Sequence, residues 1–218
     1  GEALRYKEGG AWRGITHREV EERAARLAAA LAAWGVGPGD RVAILSENRP
    51  EWAVTDYAVL GMGGIVVPVY GTLPANQVAY ILENCGARVV FASDPAQLAK
   101  VQEIRGELPA LERVVAFHAP AGAPGVERFR DVLEAGRAAI ERGDAGNYRE
   151  AALRVGRDDV ATLIYTSGTT GDPKGVMLTH FNLASNVAAC LQNGLGAIIR
   201  TGETALSFLP LSHVFERM

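Results

Sequence analysis

The sequence predicts an α/β fold, a mostly parallel sheet flanked by helices. Three observations carry that prediction. Short, almost wholly apolar runs recur between residues 41 and 165, segments of helical length and periodicity separate them, and capping or turn residues mark the changeovers. Parallel neighbours need crossovers of that length, and strands buried on both faces read as continuous apolar runs.

The elements follow in order. Thr16-His-Arg-Glu19 is a capping box, in which the Thr hydroxyl accepts from the Glu19 N–H while the Glu19 carboxylate accepts from the Thr16 N–H. Val20, Ala24, Leu27, Leu31 and Trp34 then recur at helical steps, and Gly35 and Gly37 end the helix. Residues 41–46 read as a buried strand, 48–51 as a helix start with an early Pro, and 52–62 as the helix. Residues 65–70 read as a strand in which Pro68 predicts an edge or an irregularity. A helix opening at Thr72-Leu-Pro-Ala stops at Gly86, a strand covers 88–92, Asp94-Pro95 caps a helix toward Arg105, and 113–117 is another strand. Residues 118–158 differ: a Pro/Gly turn region, a helix near 128–141 and a charged loop. A boundary near residue 155 and one continuous domain are both compatible with this pattern.

Composition narrows the function. The chain has 218 residues, 48% apolar and 22% charged, enough to fill a core, and a net charge of −3 with no Lys/Arg cluster interleaved with aromatics. Nucleic acid is therefore not an expected partner. Cys85 and Cys190 are far apart, with no metal-type spacing, which fits a reducing cytoplasmic setting. The long uncharged stretch of residues 57–82 is broken by Gly and Pro and does not read as a membrane span; no basic-then-apolar leader opens the chain.

The chemistry-bearing motif is Thr166-Ser-Gly-Thr-Thr-Gly-Asp-Pro-Lys-Gly175, which follows a buried-strand pattern at 159–165 and precedes an apolar run and a helical pattern from Thr179. It reads as strand, loop, helix. Gly168, Gly171 and Gly175 allow close backbone approach to a ligand, Ser167, Thr169 and Thr170 add hydroxyl donors, and Lys174 adds a positive charge on a long stem. Such a loop suits a polyphosphate. It is neither a P-loop, since Pro173 occupies the position where that motif needs Gly, nor an S-x-x-K site, since Gly171 stands three places before Lys174. An isolated Gly-rich stretch is more often a plain connection, but this density of Gly, hydroxyls, Pro and Lys argues against one.

Residues 165–176 resemble the signature of the adenylate-forming superfamily of acyl-CoA synthetases, peptide synthetase adenylation domains and luciferases. Gly37-Pro-Gly-Asp-Arg-Val-Ala-Ile-Leu45, Asn48-Arg-Pro-Glu-Trp52, Val67-Pro-Val-Tyr-Gly-Thr-Leu-Pro74 and Gly86-Ala-Arg-Val-Val-Phe91 resemble its amino-terminal part, and Pro210-Leu-Ser-His-Val-Phe-Glu216 resembles its long-chain fatty acyl-CoA synthetase branch.

The resemblance implies ATP, Mg²⁺ and coenzyme A as cofactors and co-substrates, and a fatty acid as the carboxylate. It implies two half-reactions, formation of an acyl-adenylate with release of pyrophosphate and transfer of the acyl group to CoA. Thr166, Ser167, Gly168, Thr169, Thr170, Gly171 and Lys174 would bind phosphates, Thr166 would assist Mg²⁺, and His213 would sit at the mouth of the acyl and adenylate pocket. For His213 a partly buried histidine bonded to backbone is an equal alternative. Peripheral membrane contact is left open by a fatty acid substrate.

The same resemblance implies that the adenine loop with its Mg²⁺-binding Glu, the ribose-binding Asp and the carboxy-terminal domain with its Lys lie beyond Met218. The chain is then a partial amino-terminal AMP-binding domain, expected to be inactive alone and to self-associate through uncovered apolar surface. The competing readings are a stand-alone nucleotide- or phosphate-binding module and a ligase for another carboxylate. A phosphotransferase lacks its metal-binding carboxylate pair near the loop.

Overall fold

A computed structural model describes residues 1–119, 122–166, 172–196 and 202–217. It opens with a two-stranded antiparallel hairpin that the sequence reading lacked, β1 (Glu2–Glu8) and β2 (Ala11–Thr16), turned at Gly9 and Gly10, both at positive φ. A Gly-Gly pair between two strand-length runs is the turn such a hairpin requires.

Thr16 ends β2 and caps α1 (His17–Ala33). The Glu19 N–H donates to Thr16 Oγ1 at 3.2 Å and the Thr16 N–H donates to Glu19 Oε2 at 2.8 Å, the reciprocal pair expected.

Helices and strands then alternate: β3 (Arg41–Leu45), α2 (Pro50–Gly61), β4 (Ile65–Val69), α3 (Ala75–Cys85), β5 (Val89–Ala92), α4 (Pro95–Ile104), β6 (Arg113–Ala116), a short β7 (Glu127–Arg128), α5 (Phe129–Glu141), α6 (Tyr148–Arg154), β8 (Val160–Thr166), β9 (Lys174–Thr179), α7 (His180–Cys190) and α8 (Val214–Arg217). The strands from β3 onward form one sheet, ordered β7-β6-β5-β3-β4-β8-β9, in which every pair is parallel except β8–β9.

Alternate strand residues feed two cores. Ala43, Leu45, Val67, Val69, Val90 and Ala92 pack under α3 and α4, whereas Val42, Ile44, Val66, Val89 and Phe91 pack under α1, α2 and α5. The second core contains a three-ring cluster, with Phe91, Phe117 and Phe129 centroids 5.0 to 6.2 Å apart. α5 lies so close to α1 that a Cβ on Gly136 would come within 1.8 Å of the Arg26 carbonyl oxygen. Cys85 is buried at the end of α3, where burial pushes its thiol up to about 11, while Cys190 is exposed; both are free thiols.

Three expectations are modified. Pro68 lies on an interior strand, between β3 and β8, so the irregularity rather than the edge is what it marks: the β4–β8 ladder is confined to Val66↔Thr162, where the Thr162 hydroxyl donates to the Val66 carbonyl at 2.7 Å. Proline supplies no N–H to extend that ladder. The charged loop after α5 contains α6, capped by Asn147 and pinned where the Tyr148 hydroxyl donates to the Tyr57 carbonyl at 2.6 Å. The apolar run after Lys174 is a strand, β9, that pairs back on β8, and the helix expected from Thr179 follows it as α7, capped by Thr179.

Candidate functional site

A parallel sheet gathers its strand ends, and ligands in open α/β sheets bind beyond the carboxyl ends of the strands. Here that edge carries residues 46–49 after β3, 70–74 after β4, 93–94 after β5 and Thr166 at the end of β8.

Thr166 and Lys174 are opposed across the β8–β9 hairpin, the last paired residues before the loop, and both are exposed. Ser167, Gly168, Thr169, Thr170 and Gly171 lie outside the described residues. The hairpin base is set by Tyr165, whose ring lies against Gly175, where a Cβ would come within 3.1 Å of it. The Tyr165 hydroxyl donates to Asn84 Oδ1 at 2.5 Å, and burial pushes its pKa up to about 12, so it remains a neutral donor.

Next to this hairpin, the ends of β3, β4 and β5 are tied together by Glu47. Its carboxylate accepts from the Ser93 hydroxyl at 2.6 Å and from Gln97 Nε2 at 3.0 Å, and Gln97 also donates to the Gly71 carbonyl at 3.0 Å. Lys100 donates to the carbonyls of Gly71 and Leu73 at 2.7 and 2.9 Å. Gly71 fits under Glu47, since a Cβ there would come within 2.6 Å of Glu47 Oε1.

Arg49 spends its guanidinium on the Glu51 carboxylate at 3.0 Å, the Ser93 carbonyl at 3.0 Å and His118 Nδ1 at 2.6 Å. Arg49, Glu51 and His118, with Asn48 and strand β1, border an open cavity of about 1130 Å³.

His213 lies on a separate segment. It is exposed, its N–H donates to the Pro210 carbonyl at 2.8 Å, and its Nδ1 accepts from the Phe215 N–H at 3.2 Å. A neutral ring so bonded keeps its proton on Nε2. The segment meets the strand edge through Asn48, whose side chain bonds Leu209 and Leu211. β4 alone separates β3 from β8, so the Asn48 anchor and the Thr166 hairpin sit on the order of 10 Å apart at the strand spacing. Thr166 and Lys174 are thus brought together, while His213 is held by anchors of its own segment.

Sequence reasoning missed Glu47, Asn48 and Arg49 as site-edge residues. Their position directly after a doubly buried strand was the available signal. His118 is exposed, yet it is bound by Arg49.

One oxygen donor for a magnesium ion is available in the Thr166 hydroxyl. Among the described residues no group of three or more His, Cys, Asp or Glu side chains is arranged for a metal. A single hydroxyl fits an ion held mainly by phosphates and water, as magnesium usually is.

Residues 2–218 match the family model described as AMP-binding enzyme. The chain belongs to the AMP-binding enzyme family. Within that family it is 40% identical over 208 residues to the long-chain-fatty-acid–CoA ligase FadD15 of Mycobacterium tuberculosis, an alignment covering 95% of this chain and 33% of that one. It is 32% identical over 210 residues to fatty acyl-CoA synthetase A of Dictyostelium discoideum, covering 95% and 31%. The chain spans about a third of the length of these relatives.

Among solved structures, a putative long-chain-fatty-acid CoA ligase from Rhodopseudomonas palustris aligns with a TM-score of 0.75 at 27% identity, over 95% of this chain and 47% of that one. ATP-bound MatB of the same organism gives 0.72 at 27% identity, over 94% and 37%. The fold of this chain is thus shared with these two structures.

Proposed function

We propose that this chain forms the amino-terminal part of an ATP-dependent fatty acid–CoA ligase. The carrying observation is the 40% identity to a long-chain-fatty-acid–CoA ligase across 95% of the chain, together with a family match over residues 2–218 that spans both the Gly-rich loop and the segment around His213. In the first half-reaction a fatty carboxylate oxygen attacks the α-phosphorus of ATP, and the bond to the bridging oxygen breaks to release pyrophosphate. In the second, the CoA sulfur attacks the acyl carbonyl and AMP leaves.

The chain's own share is charge management at the phosphates. Backbone N–H groups and hydroxyls of residues 167–171, with the Lys174 ammonium, would hold the β- and γ-phosphates and stabilise the departing pyrophosphate. Magnesium bound to those phosphates, with Thr166 as one oxygen neighbour, would neutralise part of their charge. His213, with Nε2 as its outward donor, would border the acyl and adenylate pocket. A cytoplasmic location with peripheral membrane contact goes with this substrate. No helix among the described residues is long and apolar enough to cross a membrane.

The carboxylate is the part most open to test, because the structural neighbours also include an anthranilate CoA ligase, at TM-score 0.68. The experiment is pyrophosphate release from ATP and Mg²⁺ by the complete reading frame, with palmitate, aromatic carboxylates and amino acids compared. Palmitate-dependent release followed by acyl-CoA formation is the expected result; release with another carboxylate alone replaces the substrate, and no release with any removes the ligase reading. Lys174→Ala should lower adenylation about a hundredfold, the scale of losing one well-placed donor; unchanged adenylation and ATP affinity would refute its role.

A further inference from the structure

We infer that Asn48, Asp56 and Arg217 are positioning residues that hold His213 in place: two polar anchors, one on each side of the imidazole, clamp residues 207–217 to α2 and to the turn before it. The inference rests on the ligase reading only for what His213 does, not for the clamp itself.

This segment has little apolar hold of its own. Leu206, Phe208 and Phe215 are 69 to 75% exposed, and only Ser212 is fully buried. Leu211 packs against the core beside α2, and polar contacts supply most of the remaining hold. On one side Asn48 Nδ2 donates to the Leu209 carbonyl at 2.6 Å and to Ser207 Oγ at 3.1 Å, while its Oδ1 accepts from the Leu211 N–H at 2.7 Å. On the other, Arg217 Nε donates to Asp56 Oδ2 at 3.0 Å and its Nη2 donates to Oδ1, a two-point bond between side chains that are 4% and 8% exposed. The Trp52 ring centroid lies 5.8 Å from the same guanidinium.

The ion pair is a poor stabiliser for its burial. Desolvation pushes the Asp56 carboxyl above its ordinary range despite the opposing Arg217 charge. Arg217 Nη1, Trp52 Nε1 and the nearby His180 Nε2 are buried without a partner among the described residues. Desolvation of both charges offsets much of such a pair's attraction, so what it adds is fixed geometry, a two-point bond between side chains that are almost fully buried. The geometry it fixes is the turn that carries His213, since the Arg217 and Glu216 N–H groups both donate to the His213 carbonyl and the Phe215 N–H donates to its Nδ1. Anchoring Arg217 therefore fixes the ring as well as the backbone.

The test uses the complete reading frame that carries this chain. Arg217→Lys keeps the charge and removes the two-point fit. It should lower kcat for palmitate-dependent pyrophosphate release about tenfold to a hundredfold, the range expected when a group is misplaced by about 1 Å, with KM for ATP nearly unchanged. In a His213→Ala background the same substitution should do nothing further, because coupled residues are non-additive. Equal fold-losses in both backgrounds, or no loss in either, overturn the inference.

A second readout needs no activity. Amide hydrogen exchange at Leu211, His213 and Glu216 should speed up about tenfold or more in Arg217→Lys and in Asn48→Ala, the latter disturbing no buried charge. Unchanged exchange in Asn48→Ala overturns the clamp even if Arg217→Lys does not fold. Faster exchange in an enzyme inactive toward every carboxylate would remove the ligase reading and leave the clamp standing.

Discussion

The strands β3, β4 and β5 and the hairpin β8–β9 belong to one sheet but live in different surroundings. Residues 42–45 and 89–92 have no exposed surface, covered by α1 and α2 on one face and α3 and α4 on the other. In the hairpin and the helix after it, Val176, Met177 and Phe181 are 44, 68 and 43% exposed. The difference shows that an apolar run has two meanings. In the middle of the sheet it marks burial on both faces; at the β9 edge it marks a surface with nothing upon it among the described residues. The two regions should accordingly answer mutation in opposite ways.

The largest effect should come from the ring cluster. Phe91→Ala empties a fully buried site between Phe117 and Phe129, and should cost about 4 kcal/mol in urea-unfolding experiments. Gly136→Ala follows, at about 2 to 3 kcal/mol, because the added methyl meets a backbone oxygen of α1 that no rotamer can move. The matching change on the outer region, Met177→Ser, should stay within about 0.5 kcal/mol. A loss at Met177 comparable to that at Phe91 would break the comparison, by revealing a cover over β9.

The smallest effect is a pH dependence at the start of α7. Burial holds the His180 imidazole below its ordinary value, with Asp159 pulling the other way. Its folded-state pKa is therefore depressed relative to the unfolded chain. The neutral ring's contribution is present above about 6.5 and is lost as the pH falls below that, because the unfolded chain takes up the proton first. Stability should decline modestly between pH 7 and 5, and His180→Asn should flatten the decline.

Much of this fold was legible because local and global signals agreed. The Thr16–Glu19 box, the Asp94 cap and the Gly86 stop at φ 61 sit where the residues put them. Doubly buried strands needed only their apolar runs. What escaped was pairing. The residues of β9 are as apolar as those of a crossover start, and nothing local says that they fold back on β8. The Gly9-Gly10 turn was a readable signal that went unused. At the candidate site, the motif names Thr166 and Lys174, whereas Glu47, Asn48 and Arg49 owe their place to the strand order. The clasp between Asp56 and Arg217 spans 161 positions, and no periodicity relates such distant residues.

The two thiols give the molecule an internal clock. Cys190 is open to solvent and should react with an alkylating reagent without any opening of the fold. Cys85, sealed beneath the sheet with its thiol raised to about 11, can be modified only when α3 comes away from the strands. The ratio of the two labelling rates, read in a single sample, would report how often that half of the sheet opens, without an introduced probe.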